Sequence, residues 1–72
     1  LAASLLNIGI IYSDLSEYPK ALDYQEKSLK MFREIEDAKG IGICLNNIGN
    51  TCKNQSDYSK ALEYFQNSLI VT

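Results

Sequence analysis

Leu5-Leu6-Asn7-Ile8-Gly9 and Leu45-Asn46-Asn47-Ile48-Gly49 stand 40 residues apart, and this pair of stretches decides the fold. Working outward, Ser16, Tyr18, Lys20, Ala21 and Leu22 fall on Ser56, Tyr58, Lys60, Ala61 and Leu62. Tyr24, Ser28 and Leu29 fall on Tyr64, Ser68 and Leu69. The correspondence runs without a gap, and Glu17/Asp57 and Asp23/Glu63 extend it conservatively. A fixed period of this size marks stacked supersecondary units, each with a face that it cannot bury alone. Such units build surfaces more readily than enclosed pockets, which points towards binding.

Within each unit the apolar residues follow the helical period. Leu5, Ile8, Gly9 and Tyr12 define one helix face, and Ala21, Leu22, Tyr24, Ser28, Leu29, Phe32 and Ile35 define a second. Ile41, Cys44, Leu45, Ile48, Gly49 and Cys52 define a third, and a fourth runs from Tyr58 to the end. Helices are therefore expected over 1–14, 18–36, 38–54 and 58–72, with no strand. Pro19 suits a first helical turn, where its missing N–H costs nothing. Ser16 or Glu17 is the expected cap before it, and Asp37 and Asp57 are expected to cap the third and fourth helices. Gly9 and Gly49 each sit mid-helix, at a cost of about 1 kcal/mol against Ala. Their recurrence implies close helix approach, with Ala21 and Ala61 as the expected small partners. Tyr24, Tyr64 or Phe65, Leu5, Leu45, Ile8 and Ile48 should fill the rest of each seam. The fold class is all-α, two tandem αα-hairpins, with a first repeat over 1–37 and a second over 38–72.

Composition narrows the function. The 72 residues carry a net charge of −2 and no His, and 46% are hydrophobic. That content suits a folded chain, and there is no Lys/Arg cluster of the kind that tracks phosphates. No apolar run approaches the roughly 18–20 residues needed to span a bilayer. The opening on Leu1, inside a helical pattern, is expected of a fragment of a longer array. Cys44 and Cys52 lie eight residues apart on one helix, about 12 Å along its axis, too far for a disulfide between them. They read as reduced core thiols in a cytoplasmic setting. No cofactor, metal or catalytic constellation is indicated: no nucleophile stands beside a base and no Gly-rich loop is present. The charged residues of the second helix read as solvated surface, with Glu26/Lys30 at ion-pair spacing.

Leu5, Ile8-Gly9, Tyr12, Ala21, Tyr24/Gln25 and Ser28, repeated as Leu45, Ile48-Gly49, Cys52, Ala61, Phe65 and Ser68, resemble the tetratricopeptide repeat. The resemblance covers essentially the whole chain. The period is 40 rather than the usual 34, and no Pro closes the second helix near Arg33. Glu34-Ile35-Glu36-Asp37-Ala38-Lys39 would then extend the junction between repeats. In this the chain resembles the long-repeat subclass of Leu-Gly-Asn-type spindle-orientation adaptors, kinesin light chains and bacterial sensor proteins. Gln25 stands where an aromatic is expected and Cys52 where a Tyr is, which predicts looser packing at both.

The resemblance implies a right-handed superhelix, an α-solenoid whose concave face is lined by the first helix of each repeat. The positions on that face are Asn46, Asn47, Asn50, Lys53 and Asn54 in the second unit. In the first they are Leu6, Asn7, Ile10, Ser13 and Asp14. Asn is a poor helix former, and its amide both donates and accepts. The functional reading of Asn46, Asn47, Asn50, Lys53, Asn54 and Asn7 is a polar ladder for a bound peptide, with Leu6 and Ile10 as apolar anchors. The plain reading is a solvated helix face. Only Lys53 is basic, so the face does not resemble a carboxylate clamp. The function implied is a non-catalytic protein–protein interaction scaffold, a protein-binding module. A regulatory sensor segment of a larger signalling enzyme and a structural component of a large assembly are the alternatives. The uncapped end Leu69-Ile70-Val71, with Leu62 and Phe65, is expected to leave an apolar patch for neighbouring repeats or self-association.

Overall fold

A computed structural model describes residues 1–71; Thr72, the last residue of the expected fourth helix, lies outside the described residues. Among the described residues there are four helices and no strand: α1 (Ala2–Asp14), α2 (Tyr18–Glu34), α3 (Ala38–Asn54) and α4 (Tyr58–Val71). Each packs on the next, and α1 also touches α3, so α1 and α3 form one layer and α2 and α4 the other. The Cα trace measures 29 × 25 × 12 Å, a slab two helices thick.

The three connections share one design. After α1, the N–H of Ser16 donates to Ser13 O and that of Glu17 to Tyr12 O. Glu36 and Asp37 repeat this on Arg33 and Phe32, and Ser56 and Asp57 repeat it on Lys53 and Cys52. This is a Schellman turn, which satisfies the orphan carbonyls of a helix end through one left-handed residue. Ser16, Glu36 and Ser56 take that role at φ of 62°, 55° and 65°, although none is Gly. The expected long junction at Glu34–Lys39 is therefore absent. The extra length of the period lies in helix, with 17 residues in each of α2 and α3.

The caps are unequal. Asp37 accepts from Gly40 N at 3.1 Å, and Asp57 accepts from Lys60 N at 3.4 Å. Ser16 and Glu17 make no side-chain cap, because Ser16 is spent on the left-handed turn; Pro19 in the first turn of α2 reduces the need.

Leu6, Leu29, Cys44, Leu45, Ile48, Cys52 and Ala61 form the core, flanked by Ile10, Leu22, Phe32, Ile41, Tyr64, Phe65 and Val71. Hydroxyls at equivalent positions staple the two hairpins: Ser28 Oγ donates to Ala2 O at 2.7 Å, and Ser68 Oγ to Gly42 O at 3.0 Å. The glycines do permit close approach, but not as a Gly–Ala pair alone. A Cβ on Gly9 would stand 2.8 Å from Gln25 Cγ and 3.1 Å from Ala21 O. One on Gly49 would meet the Phe65 ring at 2.9 Å, and Ala61 is not among its nearest neighbours. Ile48 fills its seam at 1% exposure, whereas Ile8 is 38% exposed, because nothing among the described residues covers the outer side of α1. The exposed apolar end of α4 is as expected for Leu62, Leu69 and Ile70, while Phe65 is half-buried over Gly49.

Candidate functional site

The residues expected to form a polar ladder separate into groups. Asn47, Asn50 and Asn54 of α3 and Ile10 of α1 come together, with Ser13, Asp14 and Gln25, around a groove of about 230 Å³ between α1 and α3. Helical spacing explains this: positions 47, 50 and 54 share one face of α3, and 10, 13 and 14 share the facing side of α1. Asn46 and Asn7 are exposed but do not line the groove. Lys53 turns to a separate apolar hollow with Tyr58, Ala61, Leu62 and Phe65. Leu6 belongs to the core at 7% exposure and has little surface for a ligand.

The groove's polar groups are partly committed. Asn47 Nδ2 donates to Ile43 O at 2.9 Å, which fixes its side chain and leaves Oδ1 to accept. Beneath lies a buried polar cluster. The Thr51 hydroxyl stands 3.0 Å from Gln25 Oε1, 3.1 Å from Asn47 O and 3.4 Å from Ser13 Oγ. Its single proton serves one acceptor at a time, and the Ser13 hydroxyl can donate to it in turn. Gln25 is 1% exposed. The expectation of loose packing at this position is overturned: the amide is held by Thr51, and its stem lies against Gly9. Cys52 is likewise buried, not loosely packed. Gln25 was legible only as a departure from an aromatic pattern. Its partner Thr51 lies 26 residues on, across the repeat boundary.

Among the described residues, Asp14 is the single charged one lining this groove. On the opposite layer a wider groove of about 520 Å³ between α2 and α4 is lined by Glu26, Leu29, Lys30, Arg33, Glu34 and Tyr64. The expected Glu26–Lys30 ion pair does not form there; Asp23 and Lys27 pair instead, at 3.2 Å on the exposed surface. Tyr12 and Tyr24 stack at 5.6 Å, with Lys20 over the first ring and Lys27 over the second.

Neither thiol is disposed to react. Burial pushes the Cys44 thiol up, only partly offset by Ser28, whose Oγ lies 3.3 Å away. Burial, and then the Asp57 carboxylate, push Cys52 up. Both are free, and the thiol rather than the nucleophilic thiolate is the favoured form. No described helix is long and apolar enough to cross a membrane.

Antiparallel helix pairs in register, joined by identical turns and sharing one core, define an α-helical repeat scaffold. The sequence model of the tetratricopeptide repeat matches residues 1–69, and the chain belongs to that family. Members of the family generally mediate protein–protein interactions and are typically non-catalytic. No curated protein and no solved structure gives a significant match.

Proposed function

We propose that the chain is a protein–protein interaction scaffold that holds a partner peptide in the groove between α1 and α3, the concave side of the array. The observation that carries this is the convergence of Asn47, Asn50 and Asn54 with Ile10 on one polar groove. Exposed amides cost helix stability without adding to the core. Spaced along one helix face, they match the alternating donors and acceptors of an extended main chain. The long-repeat subclass is the nearest reading of the 17-residue helices. Asn46 and Asn7 act outside the groove, as rim contacts for a longer partner, while Lys53 faces the separate α3–α4 hollow and takes no part in this groove.

The exposed outer faces of α1 and α4 support a structural role besides. Leu69 and Ile70 are 77% and 80% exposed, and Ile11 and Leu15 are exposed on the other end. Neighbouring repeats, or a second copy of the chain, would cover them. Two buried free thiols support a reducing, cytoplasmic setting.

The test is binding of peptides selected from a random display library, read by fluorescence anisotropy. Asn47→Ala with Asn50→Ala is expected to weaken the best peptide about tenfold or more, with the thermal midpoint little changed. Wild-type affinity in that variant would refute the groove.

A further inference from the structure

We propose that Gln25 is a specificity contact at the floor of this groove, where the outward end of its amide hydrogen-bonds the main chain of an extended peptide. The proposal rests on the groove being the binding site.

Four observations converge on Gln25. It is almost fully buried, yet it lines the groove, so what surface it has opens there. Its stem is clamped: Gly9 leaves no room for a Cβ beside Gln25 Cγ. One end of its amide is engaged by Thr51, and the other makes no hydrogen bond among the described residues. Lastly, packing does not demand an amide here. The equivalent residue of the second repeat is Phe65, whose ring fills the matching place over Gly49.

No buried side-chain polar atom among the described residues lacks a partner, so the unbonded amide end is at the small surface that Gln25 shows to the groove. There it is a rigidly held group, and a ligand that bonds it loses little to ordering. The Thr51 hydroxyl can donate to the amide or accept from it, since Asn47 O and Ser13 Oγ offer it alternatives. The outward end of Gln25 is then a donor or an acceptor. An extended peptide satisfies either, because it presents a carbonyl and an N–H at each residue, about 3.3 Å apart. The walls reinforce this chemistry. Asn47 keeps Oδ1 for a peptide N–H, Asn50 and Asn54 add further amides, and Asp14 favours a basic side chain at the end of α1. The ligand class is thus an extended, uncapped strand of peptide with a Lys or Arg near the Asp14 end. A helical ligand has its main-chain groups already spent and would not use Gln25.

The experiment uses the best peptide from a random dodecapeptide display library, synthesised and titrated against the 72-residue chain. Gln25→Met keeps the shape and removes the amide. It is expected to weaken binding about threefold to tenfold, with unchanged circular dichroism and no loss of thermal midpoint. Replacing the peptide's amide bonds by esters one at a time should reveal one linkage whose loss weakens wild type but not Gln25→Met, the signature of direct coupling. Wild-type affinity in Gln25→Met, while Asn50→Ala and Asn54→Ala lose binding, would overturn the Gln25 contact and leave the groove standing. Indifference of all three variants, or a library yielding no binder, would overturn the groove and this contact together. Should Gln25→Met not fold, the wild-type Gln25 side-chain NH₂ resonances decide: a shift on adding peptide supports the contact, and no shift rejects it.

Discussion

Ile8 and Ile48 are the same residue at the same place in two copies of one repeat, and they live in different surroundings. Ile48 is sealed because α3 has α2 and α4 packed on it and touches α1; Ile8 sits on a helix flanked mainly by α2. Buried residues are correspondingly concentrated in α3, which hides Cys44, Leu45, Ile48, Thr51 and Cys52, while α1 hides only Leu6 and Gly9. In a repeat protein a residue's contribution is a property of the junction it faces, not of its position in the motif. The second contrast is chemical. The first hairpin carries Gln25 over Gly9 and a Tyr12–Tyr24 stack; the second carries Phe65 over Gly49, with Cys52 where Tyr12 stands.

The sharpest break of this comparison is Ile48→Ala against Ile8→Ala. The first empties a fully buried site and should cost about 3 kcal/mol, within the usual range of 2–5. The second should cost about 1–1.5 kcal/mol, since Ile8 is 38% exposed and its loss leaves no closed cavity. Urea melts of the two variants measure both, and equal losses would mean that the outer side of α1 is covered in solution. Gly9→Ala and Gly49→Ala come next. Both gain helix propensity of about 1 kcal/mol. At Gly9 the new Cβ meets the fixed carbonyl of Ala21 and the held Gln25, so a net loss of about 1–2 kcal/mol is expected. At Gly49 the obstacle is the half-buried Phe65 ring, which can slide, and the net change should be near zero. Thermal melts in parallel decide whether the two glycines differ. The smallest effect concerns the turns, which the comparison says are alike. Ser16→Gly and Ser56→Gly should each stabilise by about 0.5–1 kcal/mol, by relieving a left-handed residue that bears a Cβ. Gains differing by more than that range would show that the turns are not equivalent.

The helices were legible in the sequence because their signals are local: a 3.6-residue period, Pro19, and the Asp37 and Asp57 caps all act within a few residues. The turns were legible in place but not in kind, since a Schellman turn without Gly leaves no mark in composition. The seam was half legible. Ile8 and Ile48 read identically, and only the neighbouring helix separates them. The groove was legible through the Asn spacing for Asn47, Asn50, Asn54 and Ile10. It was not legible for Lys53, which the helix turns away, nor for Gln25, whose meaning comes from Thr51 in the next repeat.

The turns at Ser16, Glu36 and Ser56 carry a mechanical consequence. They recur every 20 residues with the same hydrogen bonds, so the joint between the hairpins is built like the bend inside each. There is no slack linker at which one hairpin could swing against the other. The slab should bend like a leaf spring rather than swing on a hinge, with most of the give along the α2–α3 seam, the least densely packed of the three. A load that spreads α1 from α3 would then be carried to α2 and α4 through that seam and the shared core, not absorbed in a loop.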